Sequence, residues 1–226
     1  MLTPITATTG SVCGPFVRNS LQIEYASYVV AAINLQSNTN LFSGGVYESV
    51  DLGLPSCTLW AKYNVGATSE TDYGDLFAWG ATEPYRLNGT TPIDNTDNYS
   101  KSYARTIQRD LYPNEDASTV QWGKGWKMPT KAQFNELIAN TTDEWTAING
   151  VNGRKFTASN GNYIFFPAAG NVNGGSLGDL GGYGFYWSRS FDSPAGAWRL
   201  NFKSGQRGVN TDYRYFGFSV RPVRAQ

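Results

Sequence analysis

Residues 181–226 hold 11 of the chain's 33 aromatic side chains and 7 of its 18 basic ones, against two acids, Asp192 and Asp212. These residue types recognise ligands and do not by themselves make or break bonds. Tyr, Trp and Arg bury large areas or form planar, forked hydrogen bonds, and they supply most of the anchors of protein interfaces. The candidate ligand-binding set is Tyr183, Phe185, Arg189, Phe191, Trp198, Arg199, Arg207, Tyr213, Arg214 and Tyr215.

Reactive chemistry has few residues to use. The chain contains no histidine, which removes His-based acid–base catalysis, Ser-His-Asp and Cys-His nucleophile systems and the usual zinc sites. The two cysteines, Cys13 and Cys57, are too far apart for a metal-ligand pair and too few for a disulfide scaffold. Cys57 lies among apolar residues and reads as a buried free thiol, with a Cys13–Cys57 disulfide as the alternative. Asp94/Asp97 and Glu115/Asp116 have the residue types of a glycosidase pair, but polar loop sequence around them makes solvated charge the expectation. No catalytic residue, metal or cofactor is therefore expected.

The elements that must position the candidate residues follow from periodicity. Trp198-Arg199-Leu200-Asn201-Phe202-Lys203 alternates, so Trp198, Leu200 and Phe202 face a core while Arg199, Asn201 and Lys203 face outward. Ser204-Gly205 and Gly208 allow the chain to reverse, and a second strand from Tyr213 to about Val223 is expected to pair back, carrying Arg214 and Tyr215 outward and Phe216, Phe218 and Val220 inward. Upstream, strands are expected in 46–52, 58–65, 75–80, 156–157 and 163–170, with Asn160-Gly161 as a hairpin turn. Thr130 caps a helix to about Asn140, with Gln133 completing a capping box and Phe134, Leu137 and Ile138 as its buried stripe. Residues 82–120 read as a long polar loop with a short helix near 103–110, and the seven glycines of 170–184 as a pliable turn. Residues 19–36 fit either a helix or a leading strand.

Composition narrows the class further. Charged residues make up 16% of the chain and the net charge is zero, which opposes general nucleic-acid binding. No window approaches 18 consecutive apolar residues, and the start lacks a basic region followed by an apolar run, so neither a membrane span nor a signal peptide is expected.

Several stretches together resemble a known family. V-D-L-G-L-P-S-C-T-L-W-A (50–61), N-V-G-A-T (64–68), Y-G-D-L-F-A-W-G (73–80), W-K-M-P-T-K-A-Q-F-N-E-L (126–137), I-F-F-P-A-A-G (164–170), Y-W-S-R-S (186–190) and F-G-F-S-V-R-P-V-R (216–224) look like the Fibrobacter succinogenes major paralogous domain. That domain belongs to the formylglycine-generating-enzyme branch of the C-type lectin-like fold. The resemblance implies an α+β, C-type lectin-like fold with short antiparallel strands, one or two helices and long loops. The same ending is similar to the variable proteins of diversity-generating retroelements, whose C-terminal codons are rewritten at adenines. It implies a non-enzymatic receptor-binding protein with a variable region of about 181–221, a protein or glycan partner on a cell surface, and a phage tail or bacterial surface as its setting.

Departures from the relatives point the same way. The branch's oxidases carry reactive cysteines or His ligands that this chain lacks, and Glu83-Pro84-Tyr85 only partly matches the calcium-binding sugar motif of true C-type lectins. The domain division expected is 1–45, for attachment, oligomerisation or the first elements of the fold, and 46–226 for ligand binding. A structural domain of a surface or virion assembly and a formylglycine-generating-type enzyme are the alternatives.

Overall fold

Alternating strands closed by short turns build most of the molecule. The computed structural model describes residues 47–85, 87–88, 91–92, 106–123, 125–173 and 176–226. In chain order its elements are β1 (Ser49–Asp51), β2 (Thr58–Ala61), β3 (Leu76–Phe77), β4 (Leu87–Asn88), β5 (Thr91–Pro92), α1 (Ala117–Trp122), α2 (Lys131–Asn140), β6 (Thr141–Ile148), β7 (Val151–Ala158), β8 (Tyr163–Pro167), β9 (Asn171–Asn173), β10 (Ser176–Gly178), β11 (Gly184–Phe191), β12 (Gly196–Lys203), β13 (Gln206–Tyr213), β14 (Phe218–Ser219) and β15 (Val223–Ala225). The class is α+β, with few helices and mainly antiparallel sheets. Residues 47–226 form one compact unit. The expectation for residues 19–36 lies outside the described residues.

The central sheet has the order β13-β12-β11-β14-β3, and a three-stranded sheet, β1-β2-β15, ties the start of the described chain to its end. A second three-stranded sheet, β6-β7-β8, joins α2 in covering one face of the central sheet: Trp145 meets the Phe202 ring edge-on at 6.3 Å. Within β11 and β12, neighbouring residues serve different cores because strand side chains alternate. Tyr186, Leu200 and Phe202 enter a cluster with Trp60, Phe134 and Phe166. Trp187 and Ala197 enter one with Phe77, Trp79, Leu111 and Trp126.

Helix α2 begins as its sequence requires. Gln133 N–H donates to the Thr130 hydroxyl at 3.1 Å, and Gln133 Oε1 accepts from Thr130 N–H at 2.9 Å. Phe134 and Leu137 are fully buried. Asn160-Gly161 does lie in the turn between β7 and β8, whose register closes at Thr157 and Tyr163.

Other expectations are corrected. The strand that returns against β12 is Gln206–Tyr213, not 213–223, because Ser204-Gly205 alone suffices for a two-residue turn and the register runs unbroken from Lys203↔Gln206 to Gly196↔Tyr213. Residues 141–148 form a strand that hydrophobicity did not reveal. It turns into β7 through Asn149 (φ 49°) and Gly150 (φ 81°), the two left-handed residues that a tight hairpin needs. The glycine-rich 170–184 stretch contains the β9–β10 hairpin. Residues 106–110 hold no α-helix, whereas 117–122 do, capped by Asp116. Asp116 is not solvated charge: it is buried, accepting from Thr119 N–H at 3.0 Å and Met128 N–H at 2.9 Å, and desolvation raises its carboxyl above the usual range. Glu115 is bound by Arg109 at 2.6 Å. Cys57 is disulfide-bonded rather than a free thiol.

The S-V-R-P-V-R ending is part of the core. Arg221, wholly buried, donates to Asn64 Oδ1 (2.8 Å), to the carbonyls of Ala61 (3.2 Å), Lys62 (2.8 Å) and Phe165 (2.8 Å), and stacks over Phe166 at 4.6 Å. Carbonyl oxygens and an amide, with no carboxylate among them, hold this charge, and burial lowers the guanidinium to about 10, still cationic at neutral pH. Beside it the Tyr186 hydroxyl donates to Pro167 O at 2.6 Å, and burial pushes this phenol up to about 12. An ordinary tyrosine titrates near ~10. The folded phenol thus keeps its proton longer than the unfolded one, so its contribution to stability is present below about pH 10 and is lost as pH rises towards about 12. The lowered Arg221 acts in the opposite sense over the alkaline range. Alkaline absorbance titration is therefore expected to end with a phenolate step near pH 12 that Tyr186→Phe abolishes; if the last step survives that substitution, the assignment is wrong.

Candidate functional site

The face of the central sheet opposite α2 carries an aromatic and polar strip. Cross-strand register decides its membership, since residues directly opposite one another share a face. Phe185 faces Asn201, Trp187 faces Arg199, Arg199 faces Asn210 and Ala197 faces Asp212. Trp187 and Ala197 are roofed by the core that includes Trp79 and Leu111. Beyond that roof, Phe185, Arg199, Asn201 and Lys203 are half-buried and Asn210 is exposed.

The rings form a continuous row. Tyr183 and Phe185 lie parallel, 5.7 Å apart; Phe185 to Phe218 is 5.0 Å, Phe218 to Phe216 5.7 Å, Phe216 to Tyr215 4.7 Å and Tyr215 to Tyr213 5.5 Å. Phe218 is buried and anchors the row, while Tyr213 is 54% exposed at its end. Polar groups lie along it. Lys203 Nζ is 5.3 Å from the Tyr183 ring centre and 3.3 Å from its hydroxyl, and Asn210 donates to Asn201 Oδ1 at 2.9 Å.

Arg199 occupies the middle. Its guanidinium stands 5.0 Å from the Phe185 ring centre and 5.7 Å from Phe218, and its Nε donates to Asp212 Oδ2 at 2.9 Å. Burial lowers its pKa, an effect that Asp212 opposes. Nη1 is buried without a hydrogen-bond partner.

The turn that carries Tyr213 and Tyr215 is held from below. Arg214, between them, is 2% exposed and donates to Gly196 O (3.1 Å), Ile107 O (2.7 Å) and Ser193 O (2.5 Å), with Trp79 and Phe191 stacked at 4.3 and 4.9 Å. The Tyr85 hydroxyl donates to Tyr215 O at 2.6 Å. A Cβ on Gly217 would lie 2.5 Å from the Tyr85 ring, so only glycine lets that ring support the turn.

The sequence-derived set therefore divides. Tyr183, Phe185 and Arg199 meet on this face, and Tyr213 and Tyr215 join them through the ring row, Tyr213 from the end of a strand whose register opposite Gly196 is that of the other face. The outward placement of Arg214 is corrected: the return strand ends at Tyr213, and the next side chain turns inward to carbonyl acceptors. Phe191 is half-buried beneath Arg214, and Arg189 donates to Leu111 O at 2.5 Å on the roofed side. Trp198 and Arg207 lie on the opposite face, Trp198 under Lys131 Nζ at 3.1 Å and Arg207 paired with Asp143 at 2.6 Å. Arg199 is less outward than alternation suggested, because its neighbours' rings enclose it. Asn210 and Asp212 went unnoticed as site residues, since their strand was placed too late in the chain; the two-residue turn was the signal that locates them.

Of Glu83-Pro84-Tyr85, Tyr85 is buried in support of the turn. Among the described residues no group of three or more Cys, Asp or Glu side chains is arranged to hold a metal ion, and no helix is long and apolar enough to cross a membrane. Comparison with protein-family models, curated proteins and solved structures returns no match to this chain.

Proposed function

We propose that the chain is a non-enzymatic ligand-binding protein of C-type lectin-like fold, related to the variable proteins of diversity-generating retroelements. The observation that carries the reading is the division of labour within β11–β13. Alternate residues fill the core, while Tyr183, Asn201, Lys203 and Asn210 stand on one open face and can be exchanged without emptying that core, and Tyr213, at the strand end, adjoins them through its ring stack on Tyr215. The fold assignment draws support from the β2–β15 pairing of distant chain segments, from the capped helix at W-K-M-P-T, and from the burial of Arg221 in S-V-R-P-V-R. The partner is a protein or glycan on a cell surface, and the setting a phage tail or bacterial surface.

Two measurements test this. The gene's surroundings are expected to hold a near-copy of the codons for about 183–215 that differs mainly at adenines, next to a reverse transcriptase; without them the variable-protein reading fails. Simultaneous replacement of Asn201, Lys203, Asn210 and Tyr213 by Ser is expected to move the unfolding midpoint by less than about 8 °C, as four substitutions outside the core cost together no more than ~2 kcal/mol. A collapse of the fold would mean that the face is structural and not a display surface.

A further inference from the structure

Among the described residues strand β13 is outermost in the central sheet, and its outer edge is ordered for pairing. The two-residue turn at Ser204-Gly205 makes Lys203 and Gln206 a hydrogen-bonded pair, so Gln206, Gly208, Asn210 and Asp212 direct their backbone groups at β12. Arg207, Val209 and Thr211 direct theirs away from the sheet. None of those outward N–H and C=O groups has a hydrogen-bond partner among the described residues, whereas Tyr213 O, next in the series, accepts from Phe216 N–H at 3.1 Å and ends the free edge.

Natural sheets blunt such an edge with Pro, Lys, a bulge or a covering loop. Here the eight pairs to β12 run without a register shift, and β13 contains neither Pro nor Lys. Its two charges are already engaged, Arg207 by Asp143 and Asp212 by Arg199. Gln206, Arg207, Asn210 and Thr211 are exposed.

We propose that β13 pairs antiparallel with β13 of a second copy of this chain, about a two-fold axis through Val209, so that two five-stranded sheets become one of ten strands. The free groups are centred on Val209, which is what a symmetric partner requires. In this register Val209 meets its counterpart, and Arg207 meets Thr211 of the second copy. These pairs use all three outward sets, giving about six backbone hydrogen bonds. On the other face Gly208 meets Asn210, and Gln206 meets Asp212, an amide against a carboxylate. No like charges oppose each other. The pairing stands on the strand edge alone and does not depend on the ligand-binding reading; it would align the two recognition faces and give a surface-bound ligand two points of attachment.

The test is sedimentation velocity on the full chain across a concentration series. A reversible dimer is expected. Thr211→Lys, which opposes Arg207 twice in the symmetric pair, is expected to weaken it about fivefold, and Thr211→Glu to tighten it about fivefold. Val209→Pro removes an outward N–H without taking a bond from β12 and is expected to leave monomer. A wild-type monomer at every concentration overturns the proposal, including the case where the edge instead receives an extended peptide from another protein. A dimer whose affinity is unchanged in both Thr211 variants overturns it equally, and those exposed substitutions keep the test valid if Val209→Pro fails to fold.

Discussion

Arg221→Lys is expected to lower the thermal unfolding midpoint by roughly 10 °C, measured by calorimetry or circular dichroism. The guanidinium reaches four acceptors contributed by three parts of the chain, Asn64, the strand end at Ala61 and Lys62, and Phe165. An ammonium on a flexible stem cannot span them, so buried carbonyls lose their donors. Breaking one side of a buried charged network costs about 3–5 kcal/mol, and in a domain of this size each kcal/mol is worth about 2–4 °C. Arg221→Met should do no better, since the acceptors stay orphaned. A midpoint within about 3 °C of the parent would mean that water or a local shift satisfies those oxygens and that Arg221 is not structural.

Arg214→Ala is expected to cost about as much, roughly 3 kcal/mol, whereas Tyr215→Ala next to it costs less than about 1 kcal/mol. Arg214 donates to three carbonyls and fills the space between Trp79 and Phe191, with its pKa lowered to about 10 by that burial. It is positively charged at neutral pH but is not offered to a ligand. Urea unfolding of the two variants separates a peg from a displayed side chain. If Arg214→Ala left stability unchanged and Tyr215→Ala did not, the division of the site into support and surface would be reversed.

Local signals were legible. The Thr130/Gln133 capping box, the Asn160-Gly161 turn and the alternation of 198–203 each rest on contacts within a few residues, and the structure bears out their placement. What the sequence hid depends on distance. Strand β13, Q-R-G-V-N-T-D-Y, is exposed along an edge and so lacks the apolar alternation by which half-buried strands announce themselves. Strand β6, T-T-D-E-W-T-A-I, is similarly only half-buried. Arg214 could not be distinguished from a surface arginine because its acceptors come from residues 107, 193 and 196. Arg199 lost its outward position to rings supplied by β11 and β14. The aromatic concentration marks the segment from which the ring row is built, but only register could assign each ring to a face.

The scaffold is completed by its latest residues. Strand β3 depends on β14 and β2 on β15, with the display strands lying between the partners in chain order. A premature stop codon anywhere in 183–217 therefore removes more than part of the aromatic strip: it takes β14 from β3 and β15 from β2, and deletes Arg221 from the core. Truncated products are expected to be unfolded and open to proteolysis, so chain termination in this segment is filtered by folding itself.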